Sequence, residues 1–453
     1  MFVMLLAITA IAAIFTWIVP AGQYDMVEGA GGRLVPDPQS FQFIERTPIG
    51  FFEMVRAVPR GMEEVGFIIF FILIIGGAFN VITSTGAIEA GLGRLAKAFA
   101  GKELLLIPIM MTAFAIFGAT FGMAEETIPF VPILVTLALA LKFDSITGTA
   151  IVFLGATAGF TSGILNPFTV GVAQGIAGLP LFSALGFRVA IFVVMVGVSI
   201  AFVMRYALKV KKNPQLSPMY EVDKKRDNLM DINNLPEFTP RRIIILLMLL
   251  ATIVILIIGV MRLGWWIEEL SVLFLVLGFV AALVGGIGPN GFGSKMTEGM
   301  SAIAGGALVV GFARAIVVVL NDGNILHTML FAASNVLSNF VPLVSALGMY
   351  VFQSLLNYLI PSGSGQAAVS MPIMAPLADL VGVTRQTSVV AFHIADGIAN
   401  AFMPMSAFLM AGLAIAKIQW NIWARWILPL IGLQYLLGAI FVIVAHMIRL
   451  GPY

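Results

Sequence analysis

The residues of this chain that could do chemistry gather at four points. One holds Thr120, Glu125, Glu126 and Thr127. A second holds Thr161, Ser162, Asn166 and Thr169; a third holds Ser362, Ser364 and Gln366; a fourth holds Asp396, Asn400 and Ser406. Hydroxyl, carboxamide and carboxylate oxygens suit a hard cation such as Na+, or an ammonium group. Each point lies where glycine or proline interrupts an apolar run. The clearest is Ile360-Pro361-Ser362-Gly363-Ser364-Gly365-Gln366. Proline lacks an amide donor and glycine loosens the backbone, so no helix passes through it easily. In lipid, broken backbone survives only where protein buries it or where it lines a polar cavity.

Asp396 is the sharpest of these residues. It lies in mid-span beside a glycine, with His393 three positions earlier on the same helical face. It reads as a ligand for a cation or a substrate ammonium; the alternative is a protonated structural acid. The cation set expected around the two interruptions is Thr161, Ser162, Asn166, Asp396 and Asn400. Glu125 and Glu126 can point to different sides of their tip, so that one faces a site and the other the interface. Arg314, mid-span, is expected to neutralise Asp396 or a hairpin glutamate as a structural pair. The alternative is a bidentate grip on a substrate carboxylate.

These residues need elements to hold them, and composition says of what kind. Of 453 residues, 60% are hydrophobic and 11% charged, against about 25% charged in soluble domains. The chain is therefore an all-α polytopic membrane protein in contact with a lipid bilayer. A net charge of +2 gives no electrostatic case for nucleic acid, and cysteine is absent. The three histidines, at 327, 393 and 446, share no zinc-ligand spacing. No His-Glu-x-x-His, Gly-x-Ser-x-Gly or phosphate loop occurs, which leaves an intramembrane enzyme a remote reading.

Residues 1–49 read as a first span, not a signal peptide, followed by an external loop. Residues 50–206 form a first unit, with a re-entrant hairpin at about 104–141 and an interrupted helix at about 149–177. Residues 207–242 are a charged connector, placed in the cytoplasm by its excess of Lys and Arg. Residues 243–290 supply two scaffold spans. Residues 291–453 form a second unit, with a hairpin at about 341–380 and an interrupted helix at about 387–414. Phe51–Glu64 and Gly291–Ser301 are expected as in-plane helices, with a separate span at Ile303–Leu320. Val131-Pro132-Ile133 and Met371-Pro372-Ile373, Gly159 and Gly397, and Gly50-Phe51 and Gly291-Phe292 all pair at separations of about 240. Such internal repetition marks transporter folds. An odd number of crossings per unit makes the two repeats inverted. The Glu125-Glu126 hairpin then enters from the cytoplasm and the Ser362–Gln366 hairpin from outside.

Ile18-Val19-Pro20-Ala21-Gly22-Gln23-Tyr24, Gly122-Met123-Ala124-Glu125-Glu126-Thr127, Asn166-Pro167-Phe168-Thr169 and Leu359-Ile360-Pro361-Ser362-Gly363-Ser364-Gly365-Gln366 carry a resemblance. With them the chain resembles the C4-dicarboxylate anaerobic carrier family, closest to its YfcC-type branch, within the ion transporter superfamily. The resemblance implies a homodimeric elevator carrier, with a scaffold and a transport domain, in the bacterial cytoplasmic (inner) membrane. The branch is usually labelled a basic amino acid antiporter, and the family name suggests dicarboxylates.

The expectation is a secondary active transporter for a small molecule, driven by Na+ or H+ or by exchange. Its substrate-binding set is Glu125, Glu126, Thr127, Asn166, Thr169, Ser362, Ser364, Gln366, Asp396 and Asn400. No cofactor is expected beyond the coupling Na+. The hairpins and interrupted helices hold no Lys or Arg but three acids at their tips and breaks: Glu125, Glu126 and Asp396. That favours a cationic or zwitterionic amino acid, arginine- or ornithine-like, over the alternative of a Na+- or H+-coupled C4-dicarboxylate carrier.

Overall fold

The computed structural model describes residues 2–28, 34–37, 39–88, 90, 91, 94, 101–124, 127–226, 237–259, 263, 265 and 267–451. The chain is predominantly helical, and five of the described helices are long and apolar enough to cross a membrane. Helix α1 spans Phe2–Ile18, α2 Phe51–Glu64 and α3 Gly66–Ser84. The first hairpin pairs α4 (Leu106–Phe121) with α5 (Phe130–Ala140). The helix that follows is broken: α6 (Ser145–Ser162) gives way to a π-turn at Pro167–Gly171 and then α7 (Val172–Ile176). Helix α8 spans Leu185–Lys212, α9 Tyr220–Lys224, α10 Pro240–Ile258 and α11 Ile267–Gly285. Helix α12 is the longest, Pro289–Asp322, and α13 is Leu326–Leu337. The second hairpin pairs α14 (Pro342–Leu359) with α15 (Gly363–Leu380). The second broken helix is α16 (Arg385–Asn400) with α17 (Ala407–Ile415), and α18 (Trp420–Met447) follows.

Local detail as well as element order repeats. Lys142 and Gly382 both have left-handed φ (65° and 74°), 240 positions apart. Each closes a helix the same way: Phe143 N donates to Ala138 O and Val383 N to Ala378 O. Such six-to-one bonds satisfy carbonyls that a helix end leaves free. Asp144 caps α6 by accepting from Thr147 N, and Thr384 caps α16 by accepting from Thr387 N. Helices α8 and α18 each have 28 residues, starting 235 positions apart.

The helices pack as two groups. One joins α1, α2, α3, α11 and α12; the other joins the hairpins, the broken helices, α8 and α18. The second group is tied through its middle by glycine. A methyl group on Gly159 would lie 1.9 Å from Ala115 O, and one on Gly397 would lie 2.4 Å from Thr161 Cα. Close backbone approach at small residues is what holds apolar helices together in lipid. The groups meet chiefly where α17 packs on α12.

Several expectations are corrected. The chain is not purely helical: β1 (Gly22–Gln23) pairs antiparallel with β4 (Gln42–Phe43), and β2 (Met26–Glu28) with β3 (Leu34–Pro36). This strap is anchored, with Gly22 N donating to Asn324 O at 2.9 Å and Phe41 stacked on Phe331 at 4.0 Å. Its Tyr24 is buried with Leu356, Ile360 and Ile373 of the second hairpin. Gly291–Ser301 is no separate in-plane helix but the first turns of α12. No proline follows Pro289 to break it, and its glycines serve packing, with Gly299 against Gly76 and Gly311 against Met62.

The connector is not free from residue 207 either. Helix α8 continues to Lys212 because Ala207 and Val210 are buried, and the last turn's lysines suit the negative end of the helix dipole. Beyond it the chain folds onto the second group. Tyr206 Oη and Ser217 Oγ donate to Asp144 Oδ2 at 2.5 and 2.6 Å. Ser145 N and Oγ donate to Asp223 Oδ2 at 2.9 and 3.0 Å. Arg226 pairs with Asp223 at 2.8 Å and donates to Ala416 O at 2.5 Å. The connector thus clamps the start of α6 to the end of α17.

Candidate functional site

The tip of the second hairpin is only three residues long. Ile360 precedes a proline and leaves the helical region (φ −126°, ψ 80°), which that position disfavours. Ser362 then caps α15, its Oγ accepting from Gly365 N at 3.3 Å. The first hairpin turns after α4 at Gly122, whose φ of 69° is left-handed. A methyl there would also strike Asn166 Oδ1 at 2.7 Å, so glycine is required twice over. Glu125 and Glu126 lie outside the described residues.

A cavity of about 330 Å³ lies between the two groups. Gly122 and Ala124 line it from one tip, and Ser362, Gly363 and Ser364 from the other. Phe160 and Thr169 come from the first break, Asn400 and Ser406 from the second, and Glu64 and Arg314 from the opposite group. The size falls in the range of about 300–1,000 Å³ typical of small-molecule sites. The first turns of α15 and α17 form part of its wall, and helix N-termini favour anionic groups.

Asp396 lies just behind this wall and is fully buried. Its Oδ1 accepts from Asn357 Nδ2 at 2.5 Å and from Asn400 Nδ2 at 3.2 Å. Its Oδ2 has no hydrogen-bond partner among the described residues. A methyl on Gly363 would come within 3.0 Å of that oxygen and 2.5 Å of Thr169 Cγ2. The hydroxyls of Thr169 and Ser406 are likewise buried with no partner among the described residues. One acid oxygen and two hydroxyls are therefore unsatisfied around the second tip and the second break. A buried polar atom left unpaired costs about 1–3 kcal/mol, a cost that a bound ion, water or ligand would relieve.

The expected residues divide. Thr169, Ser362, Ser364 and Asn400 line the cavity, and Asp396 sits behind them. Asn166 is buried against Gly122, its Oδ1 accepting from Thr169 N at 3.2 Å. Thr127 bonds Ala124 O at 2.5 Å within its own turn. Thr161 and Ser162 donate back to Thr157 O and Gly159 O. Gln366 does not face the cavity. Its Nε2 donates to Gln353 O and Oε1 at 2.8 and 2.7 Å, and its Oε1 accepts from Asn357 at 2.9 Å, so it braces the hairpin's two arms. Arg314 pairs with neither Asp396 nor, among the described residues, any hairpin acid. Its Nε meets Glu64 Oε2 at 2.6 Å, because α2 lies along α12 and brings Glu64 opposite it.

Sequence reasoning missed Glu64, Gln353, Asn357 and Arg188. Amides inside an apolar hairpin were the available signal for Asn357 and Gln353. Arg188, four residues into an apolar span, was the signal for a buried charge.

Many apolar helices around a walled polar cavity define a multi-pass membrane transporter. The family comparison makes the class specific. The model of the C4-dicarboxylate anaerobic carrier family (DcuC) matches residues 1–447, and the chain belongs to that family. Among relatives, the Escherichia coli protein named "Putative basic amino acid antiporter YfcC" is 35% identical, over 98% of this chain and 96% of that one. An uncharacterized protein of Haemophilus influenzae is 30% identical over the same shares. Among solved structures, the YdaH transporter of Alcanivorax borkumensis aligns with a TM-score of 0.43 at 14% identity, covering 100% of this chain and 99% of that one. MtrF of Neisseria gonorrhoeae aligns with a TM-score of 0.43 at 16% identity, covering 99% and 95%.

Proposed function

We propose that the protein is a secondary carrier for a small basic amino acid, working by cation coupling or exchange in the bacterial inner membrane. The observation that carries this is the charge around the cavity. Its wall holds the Glu64–Arg314 pair, and Asp396 stands behind it with one oxygen free. The pair cancels, which leaves one acid in excess. An amino acid with a cationic side chain complements that: its carboxylate meets the first turns of α15 and α17, and a positive group is drawn to the acid side. The name of the E. coli relative supports the same substrate class. Glu125 and Glu126 add acid to the first tip by sequence.

Na+ is the coupling ion this reading prefers, held by Asp396 Oδ2 and the free hydroxyls of Thr169 and Ser406. Proton exchange at Asp396 is the competitor. Transport proceeds by an elevator movement of the hairpin group against a scaffold containing α2, α3 and α12, in a homodimer with inverted repeats. The packing of the helices as two groups that meet at the cavity supports it.

A C4-dicarboxylate stays as the second reading, because the family description names it and Arg314 lines the cavity. Counterflow in proteoliposomes separates the two, using labelled arginine, ornithine and succinate, with choline replacing Na+ at fixed pH. Arginine or ornithine exchange that falls at least tenfold in Asp396→Asn is the expected result. Exchange of succinate alone, untouched by that substitution, would overturn the proposal.

A further inference from the structure

Arg188 is the fourth residue of α8 and is fully buried. Its guanidinium donates to the carbonyl oxygens of Ser183 and, at 3.3 Å, Ile164. Its Nε has no partner among the described residues. It forms no ion pair with an acid among the described residues. A lone buried charge costs several kcal/mol unless its surroundings supply the opposite field. Among the described residues, main-chain carbonyls supply it. Ile164 lies two residues past the end of α6, where free carbonyls and the helix dipole favour positive charge. A carbonyl-lined pocket at an unwound helix end is also what a Na+ ion seeks.

The second repeat has the same position with other chemistry. Trp423 is the fourth residue of α18, is equally buried, and donates its Nε1 to Ala401 O at 3.0 Å, one residue past the end of α16. The indole brings a donor and no charge. The helix that ends at this break carries Asp396 in its last turns, whereas Thr157, Thr161 and Ser162, in the last turns of α6, direct their hydroxyls onto carbonyls of their own helix. The first break therefore has its cation covalently attached, and the second has an acid with a free oxygen.

We infer that the Arg188 guanidinium is a built-in cation of the first helix break, standing where an exchangeable ion would otherwise sit. The carrier then has one exchangeable cation site, at Asp396, instead of one per repeat. The count rests on the cation-coupled reading above; the role of Arg188 does not.

The test uses purified full-length protein and proteoliposomes. Arg188→Met should melt well below wild type in choline chloride. Guanidinium chloride below denaturing concentration should raise its melting temperature, while leaving wild type unchanged. Its uptake should depend on Na+ with a Hill slope rising from about one toward about two. Arg188→Lys, which keeps the charge, should keep a slope of about one. An Arg188→Met protein that melts like wild type, or ignores guanidinium, overturns the inference. If that variant fails to accumulate, Arg188→Lys decides. Near-normal yield supports a tethered charge, and equally severe loss means fork geometry alone matters, which overturns it. A wild type indifferent to Na+ overturns the coupling reading and the site count, while the guanidinium arm still decides what Arg188 does.

Discussion

In the first repeat the central helix ends at Ser162, and the carbonyl beyond it meets a guanidinium. In the second it ends at Asn400, and the carbonyl beyond it meets an indole. The frame is shared down to the capping bonds, yet the polar content differs throughout. Hairpin two is braced by Gln353, Asn357, Gln366 and Ser370 in one hydrogen-bonded chain. In hairpin one the described hydroxyls of Thr120, Thr127 and Thr136 bond only their own helix or turn. The same capping pattern thus occurs with different side-chain chemistry around it. The two hairpins differ in this way: the first is held by packing, the second by a polar network that ends at Asp396.

The comparison breaks first if the shared frame is looser than it looks. Gly159→Ala drives a methyl into Ala115 carbonyl oxygen at 1.9 Å, and Gly397→Ala drives one into Thr161 at 2.4 Å. Both should lose about 3 kcal/mol or more, read as collapse of the melting temperature in detergent. Gly305→Ala, which would meet nothing within 4 Å, is the control. Normal melting of Gly397→Ala would mean that the two halves do not cross this tightly.

A smaller effect tests the polar asymmetry. Gln353→Leu removes the two side-chain bonds that Gln353 makes with Gln366 Nε2 and Ser370 Oγ, leaving each only its other partners, and should cost about 1–3 kcal/mol. Thr136→Val in hairpin one removes only a bond to Pro132 O of its own helix, at 2.8 Å. It should cost about 0.5 kcal/mol or less. Equal losses would remove the distinction between the hairpins. The smallest effect concerns the wall that both halves face. Arg314 and Glu64 are partly exposed, so Arg314→Gln should change stability by no more than about 1 kcal/mol. It should still shift thermal stabilisation by ligands toward more cationic amino acids, because Glu64 loses its partner. A variant with unaltered ligand ranking would take the pair out of substrate selection.

The helix ends at Leu359 and Ser162 were legible because proline and glycine punctuate the apolar runs there, whereas α16 runs on through Gly397. Pro361, Gly363 and Gly397 stand where helix cannot continue or where backbones meet. Asp396 was legible because a mid-span acid is costly wherever it lies. Its partners were not, since Asn357 is 39 positions away and reaches it only through the hairpin's fold. Arg188 escaped notice for the same reason: its carbonyl partner Ile164 is 24 residues distant and main-chain, so no side-chain pattern announces it. The strap between β1 and β4 was hidden by its polarity, which reads as loop until Tyr24 and Phe41 find their apolar partners. The continuity of α12 was hidden by glycines that serve close packing instead of a break.

The clamp of Asp223 and Arg226 bears on whether the two repeats need to be one polypeptide. Asp223 caps α6 from within the first half, and Arg226 reaches the Ala416 carbonyl of the second. The covalent link beyond Arg226 therefore duplicates a joint already made by hydrogen bonds and by the crossing of α6 with α16. Co-expressed fragments 1–226 and 237–453 should find each other in the membrane and co-purify, with Arg226→Ala weakening the recovered pair. Gene duplication and fusion would then have left a seam that can be reopened, with the halves meeting as two proteins once more.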